Sequence, residues 1–563
     1  MKTLANSIAL QTLRLSSAGF FAIILVFTSQ SFAERYLVVM KNKAVFAQAH
    51  AQFMMSNRTQ LASIKGLQSQ AVSDDFQPTA VVEDSLTHLN TLVVEISDEK
   101  ELRALRASGQ VALIEKEIFH PAPKPVQGFT LTRPWDYNLN YAQPMNAETM
   151  GVGPRTPWGI QAVRAPQAWD AARGGDGVRV LVLDTGIDKD HPSLGPNFEK
   201  GRDFVNDNNQ PYSFADSVGH GSHCAGTIAG AMGADGFVGV APRAKLLAGR
   251  VCSEEGCSNV AVAQGINWGI SEKVDVISMS LGGPMATPAE KRAIEAADRA
   301  GISVVAASGN DGTPKVSYPA AFPTVVAVGA IDKTLSKAKF SQWGPELDIV
   351  APGVDVVSSV PMGTGRESKV TLGTQVVPST SFAGSPEVLV PASSELVVAG
   401  LGKPDEYKGA VGKFALVKRG EISFAEKVKN AIAAGVNGVV IYNNEPGLLQ
   451  GALTQDGSIV AIPVVMIEQA VGDAAKNALD RGQKLNVTLQ TVPTDYASFA
   501  GTSMATPHVA GVVALMKGAN RVLKPAQVLQ ILKSTAQQLS GSNDQNQLGT
   551  GLVNAERAVS QSK

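Results

Sequence analysis

Cysteine is nearly missing from this chain: there are three in 563 residues, which excludes a disulfide framework and leaves stability to a hydrophobic core. An excess of charge is missing too. Lys and Arg total 49 against 50 Asp and Glu, a net charge of −1, so the overall balance draws the chain neither to nucleic acid nor to an anionic membrane surface. Charged residues make up 18% and hydrophobic ones 44%, a composition that packs and leaves little room for extended disorder. No period-length repeat and no low-complexity tract interrupts it. This length suggests two to four domains.

Long apolar runs are absent as well. The run Ala18–Phe27 is well short of the roughly 20 residues that a membrane-spanning helix needs. Lys2 and Arg14 precede it, polar Thr28, Ser29 and Gln30 follow, and Ser31-Phe32-Ala33 offers the small residues of a signal-peptidase site. Residues 1–33 therefore read as a signal peptide cut after Ala33, and the protein as secreted. An uncleaved anchor is the alternative.

What is present divides the rest of the chain. Residues 34–121 read as a small α+β unit, with strands at Tyr36–Val39, Thr91–Ile96 and Val111–Ile114 and helices at Ala44–Ser56 and Glu99–Ala107. Residues 122–155 carry Pro, Asn and Gly without apolar period and read as a linker and maturation region. From 156 to 361 the pattern becomes short apolar runs, Val178–Leu183, Val274–Ile277, Ile302–Ala307 and Thr324–Val328, alternating with helical segments such as Pro288–Ala300. That alternation predicts an α/β fold, a three-layer doubly wound parallel sheet. Residues 362–495 form an inserted unit rich in Val, Gly and Ser, with a helix at Phe424–Ala434 and a strand at Val436–Tyr442. The interrupted domain resumes at 496–563.

Three segments of the interrupted domain carry chemistry. Hydrolysis of an amide needs a hydroxyl nucleophile, a base, a carboxylate to orient the base, and donors for the developing oxyanion. Asp184 ends the strand Val178–Leu183, at the sheet edge where α/β folds place their ligands. His220 lies in Gly-His-Gly-Ser-His-Cys-Ala-Gly-Thr at an expected helix start; His223 is its internal competitor. Ser503 lies in Gly501-Thr-Ser-Met-Ala-Thr-Pro-His508. Pro507 fits the first turn of a helix, so Ser503 is expected at a helix N-terminus, its own N–H serving as one oxyanion donor. The side-chain amide of Asn310 is the candidate for the other.

Together these segments resemble the subtilisin-like serine proteases (subtilases, peptidase S8), over about Trp158–Pro361 and Tyr496–Val559, in the same Asp…His…Ser order. The resemblance implies a serine endopeptidase acting through an acyl-enzyme on Ser503. It implies that Ser280, Leu281 and Gly282, with Gly256 opposite, pair with extended substrate backbone. It places the first specificity pocket at Ala307, Ser308, Gly309 and Ser317; a Ser at 317 makes that pocket shallow and favours a medium-sized apolar residue, while Asp311 at the rim favours a basic one. No cofactor is required. Structural calcium stays open, since Ser193 and Gly233 stand where bacterial subtilisins have calcium ligands, and no metal site is assigned.

Cys252 and Cys257 are disulfide candidates, and Cys224 resembles the unpaired cysteine beneath the catalytic His of proteinase K-like members. The insert resembles a protease-associated (PA) domain through Gly412–Gly420, Phe424–Val428 and Gly438–Asn443. Residues 34–121 resemble an inhibitor I9-type propeptide ending in Ile114-Glu-Lys-Glu117, with the usual cut falling near Pro123, or later because proline is a poor neighbour for a scissile bond. The implied partners are protein and peptide substrates and the chain's own propeptide, with no nucleic acid and no stable membrane anchor after signal cleavage. An α/β-hydrolase esterase is the first rival, but Ser503 lacks the Gly-x-Ser-x-Gly elbow. A catalytically dead binding scaffold is the second.

Overall fold

The computed structural model describes residues 33–56, 59–60, 80–123, 125, 130–131, 156–205, 214–233, 237–445, 448–449, 451–454, 458–539 and 545–563. The expected signal peptide, except Ala33, and most of the expected linker lie outside these residues.

The central sheet has seven parallel strands: β1 (Arg179–Asp184), β2 (Phe198–Asp203), β3 (Lys245–Arg250), β4 (Val276–Met279), β5 (Ser303–Ala307), β6 (Val325–Ile331) and β7 (Ile349–Pro352), in the order β7-β6-β5-β4-β1-β3-β2. Strands β4 to β7 are buried at every residue, as a parallel sheet covered by helices requires. Helix α1 (His220–Ala229) follows β2. Helices α2 (Asn259–Glu272) and α3 (Pro288–Arg299) pack on β1, β3 and β5, while α4 (Thr502–Ala519) runs across β1 and β4–β7. Helix α4 is apolar on all sides and buried almost throughout, so it belongs in a core and not at a surface. The strand order reverses at β1, which has β4 on one side and β3 on the other, and such a reversal opens a crevice beyond the strand's C-terminal end.

The insert enters and leaves through a two-stranded ribbon, Val356–Ser359 against Tyr496–Phe499. Beyond it, Gly365–Leu372 pairs along its whole length with Asn486–Thr494, and these arms lead into an eight-stranded mixed sheet. That sheet buries one apolar cluster containing Val417, Val439 and Met466 and a second containing Leu416, Val440 and Val465. Neighbouring residues of one strand go to different clusters, the alternation a β-sheet imposes.

The described residues between 34 and 116 form a five-stranded antiparallel sheet with two helices; Thr91–Ile96 is its middle strand, flanked by Val81–Leu86 and Glu34–Met40. Its two faces have different fates. Tyr36, Val38 and Met40 pack with Phe46, Leu102 and Leu105 in the unit's own core. Leu37, Leu86, Leu89 and Val93 belong instead to the core of the central sheet, each contributing about 1.5–3 kcal/mol if it would otherwise be exposed. The seam is polar at its rim. Arg35 bonds Glu83, Glu117 and Gln264, and Gln264 bonds Asp84. Glu115 accepts from Ala289 N at 2.8 Å and from Asn259 Nδ2 at 3.0 Å, which sets a carboxylate at the N-terminal ends of α2 and α3, where helix dipoles favour one.

Candidate active site

Asp184 is the last residue of β1, and His220 is the first of α1. The two approach because the chain is small where they cross: a Cβ on Gly221 would fall 2.1 Å from Gly186 O. His220 Nδ1 and Asp184 Oδ1 are 2.8 Å apart, both side chains 1% exposed. The same oxygen accepts Thr185 N at 2.7 Å. Burial disfavours the imidazolium, but the Asp184 charge and hydrogen bond outweigh it and hold the His220 pKa well above the ordinary imidazole value. His220 Nε2 has no hydrogen-bond partner among the described residues, leaving it the ring nitrogen that can take a proton.

A set of contacts that the sequence did not announce holds this pair. Thr185 Oγ1 donates to Asp216 Oδ1 at 2.8 Å and accepts Gly221 N at 2.9 Å. Asp216 also accepts the N–H groups of Val218, Gly219 and Ser222, so a carboxylate caps the start of α1. An acidic residue four positions before the candidate His was the available signal.

His223, the competitor, is committed elsewhere. Its Nε2 bonds Val356 O at 2.9 Å and its ring stacks on Phe499 at 4.5 Å. Burial pushes its pKa down to about 3, so it is neutral and ties α1 to both strands of the ribbon below the insert.

Ser503 is the second residue of α4, after Gly501 at the N-cap. Pro507 is not in the first turn, as the motif suggested, but at the sixth helical position. The displacement has a consequence. Proline brings no N–H to the carbonyl four residues earlier, which is that of Ser503. Two side chains serve it instead: Ser280 Oγ donates at 2.8 Å and Cys224 Sγ at 3.5 Å. Cys224 is buried, its thiol pKa pushed up chiefly by that burial, so it is a donor here and not a thiolate. The Ser503 hydroxyl donates to Ser280 O at 3.1 Å. To act it must leave that carbonyl and turn to His220 Nε2.

The remaining expected residues surround this point. Asn310 Oδ1 accepts Thr502 N at 2.9 Å and Thr502 Oγ1 at 2.8 Å, which commits the oxygen and leaves the amide N–H groups to serve as donors. Thr502 Oγ1 in turn accepts Gly309 N at 3.2 Å. Ser280, Leu281 and Gly282 follow β4; Gly282 lies so close to Tyr318 O that a Cβ would stand at 2.5 Å. Ala307 ends β5, and Ser308 N is bonded to Val328 O while Ser308 O accepts Ser317 N. The Ser317 hydroxyl donates to Gln342 Oε1 at 3.3 Å. Gln342 was not foreseen from the sequence. Its carboxamide also takes Asp311 N and donates to Lys315 O, so it forms the back of the space between Gly309 and Ser317.

Gly256 opens the strand Gly256–Ser258, the second arm of a hairpin whose first arm, Cys252–Ser253, is disulfide-bonded to it through Cys252 and Cys257. Ser193 bonds its hydroxyl to His191 and Ser359.

The chemistry follows from the geometry. His220 removes the Ser503 proton, and the alkoxide attacks a carbonyl to give an acyl-enzyme. Asp184 fixes the tautomer and stabilises the imidazolium, and Asn310 with the Ser503 N–H stabilises the oxyanion.

The chain matches the subtilase family (peptidase S8) over residues 175–387 and 470–551, and the PA domain over 388–475. M-protease of Shouchella clausii (strain KSM-K16) is 38% identical over 273 residues, 48% of this chain and 68% of its own. Subtilisin E of Bacillus subtilis (strain 168) is 43% identical over 213 residues, 37% of this chain and 55% of its own. The crystal structure of the psychrophilic subtilisin-like protease Apa1 from the Antarctic psychrotroph Pseudoalteromonas sp. AS-11 is similar with a TM-score of 0.55 and 30% identity, covering 72% of this chain and 97% of that one. A buried Asp–His pair at a sheet switch point, a serine at a helix N-terminus and these similarities lead to one conclusion: the chain belongs to the subtilase family of serine proteases, hydrolases of peptide bonds, with a PA domain inserted in its peptidase unit.

Proposed function

We propose that the protein is a secreted endopeptidase of broad action, made as a precursor that residues 34–121 hold inactive until they are cut away. One observation carries this reading. The strand Phe119–His120 pairs antiparallel with Gly256–Ser258, His120 opposite Cys257 and Phe119 opposite Ser258, along the edge where an extended substrate would add a strand. Pro123, three residues further on, is buried. The segment therefore occupies the groove as a substrate would, and its prolines slow its own cleavage.

Ser280, Leu281 and Gly282 serve as the opposite edge, and Ala307, Ser308, Gly309 and Ser317 line a first pocket that takes a medium-sized apolar residue. The PA insert guides protein substrates past His220. A cavity of about 610 Å³ between the insert arms and the peptidase unit supports this; Gly219, Arg366, Phe382 and Tyr496 line it, together with Pro125 from beyond the groove. Further along, Thr130–Leu131 pairs with Leu448–Leu449 of the insert. No cofactor takes part, and structural calcium stays an open proposal.

The test is Ser503→Ala. The variant should accumulate as full precursor in the medium and lose turnover by about 10⁶, while the processed wild type reacts with a fluorophosphonate at Ser503. Normal processing in the variant would end this reading.

A further inference from the structure

The strand that occupies the groove places one side chain, His120, in a closed site. The imidazole is 3% exposed. Glycines form the walls where the chain passes: a Cβ on Gly256 would stand 2.4 Å from His120 O, and one on Gly283 would stand 2.3 Å from His120 Nδ1. At the end of the site His120 Nε2 meets Glu290 Oε1 at 2.8 Å, and the Glu290 side chain is 0% exposed.

A carboxylate so buried has to be explained, because it costs several kcal/mol without partners. Helix capping explains part of it. Thr287, the N-cap of α3, accepts Glu290 N at 3.1 Å, and its hydroxyl donates to Glu290 Oε2 at 2.9 Å. That arrangement employs one oxygen. On the other, Oε1, the imidazole is the one hydrogen-bond donor among the described residues. When residues 34–121 leave, Oε1 loses its donor, and Glu115, the other carboxylate at this end of α3, leaves as well. An apolar side chain entering the vacated site would strand a buried oxygen. A basic one would satisfy it.

We infer that Glu290 is a specificity-determining residue: in the processed enzyme it selects substrates with a basic side chain, histidine above all, at the position His120 holds in the precursor. The inference rests on the reading that Phe119–His120 marks the substrate path. Counting Pro123 as the residue before the scissile bond, the position is the fourth on the N-terminal side.

Processed enzyme should be assayed with peptides that differ only at that residue, carrying His, Lys, Arg, Leu or Phe, and with a ladder extending one to five residues before the bond. His, and at least one of Lys and Arg, should exceed Leu in kcat/KM by about tenfold or more, as a charge-assisted hydrogen bond allows. Glu290→Leu should turn the ratio toward Leu. The ratio is taken within each enzyme, so a general loss of activity cancels. If the leucine variant does not fold, Glu290→Gln, which keeps the cap, should still shrink the ratio. Equal or better cleavage with Leu or Phe in the wild type, or ratios untouched by either substitution, would overturn the inference. Rates that fail to rise beyond two residues of the ladder would instead overturn the groove reading beneath it.

Discussion

At the scale of single residues, the site is a set of commitments made by hydrogen bonds. Asp184 spends one oxygen on His220 Nδ1, which leaves Nε2 as the base and raises the ring's pKa. The base must be neutral to accept the Ser503 proton. Activity therefore rises with pH as His220 deprotonates, and the raised pKa moves that rise above the ordinary imidazole range near 6.5. In Asp184→Asn the stabilising charge is gone while burial remains, so the acid limb of kcat/KM should shift to lower pH as kcat falls by about 10⁴. A limb that stays in place would show that Asp184 does not set the pKa. The triad residues were legible in the sequence because Asp184 ends an apolar strand run and His220 and Ser503 each sit among small residues, in an order that is itself informative. Gln342 was not, since only the folded loops bring it to Asp311, Lys315 and Ser317; Asp216 was missed although its place four residues before His220 was a signal. Pro507 was legible as a helix residue but misplaced by a turn; its effect, a free Ser503 carbonyl, needed Ser280 and Cys224 to become visible.

At the scale of elements, α1 and α4 each carry a buried neutral histidine. His223 bonds the ribbon, and His508, its pKa pushed down to about 4 by burial, bonds Met504 O while a Cβ on Gly159 would lie 2.2 Å from its Nε2. Both folded pKa values lie below the unfolded value near 6.5. Their contribution to stability is therefore complete above that pH and is lost as pH falls toward 4 and then 3. Between pH 6.5 and 4.5 each should remove on the order of 2–3 kcal/mol, read from urea melts of fluorophosphonate-inactivated enzyme. His508→Asn should flatten that pH slope, and an unchanged slope would refute the assignment. Strands were recognised in the sequence where burial on both faces made a continuous apolar run, as in β5 and β6. Strand β2, Phe-Glu-Lys-Gly-Arg-Asp, escaped notice because it is an edge strand, partly exposed along its length, and its charges hide its pairing to β3.

At the scale of the whole molecule, three units meet at one cleft. The insert should matter for large substrates only: replacing residues 365–494 by a short turn across the ribbon Val356–Ser359 and Tyr496–Phe499 should leave cleavage of a tripeptide amide within about twofold and lower that of an unfolded protein by about tenfold or more, by loss of a second contact surface. Equal losses on both would assign the insert a purely structural part.

The amino-acid order by itself determined the reaction and the fold class, because a nucleophile motif, a base motif and a carboxylate at a strand end are local patterns, and buried parallel strands leave an apolar run wherever they occur. Only the tertiary structure decided what faces what: that His120 reaches Glu290, that the second residue of α4 is served by Ser280 just after β4 and by Cys224 of α1, and that the insert arms line a cavity beside Gly219. These are contacts between residues distant in sequence, set by sheet order and helix packing, and no local pattern carries them.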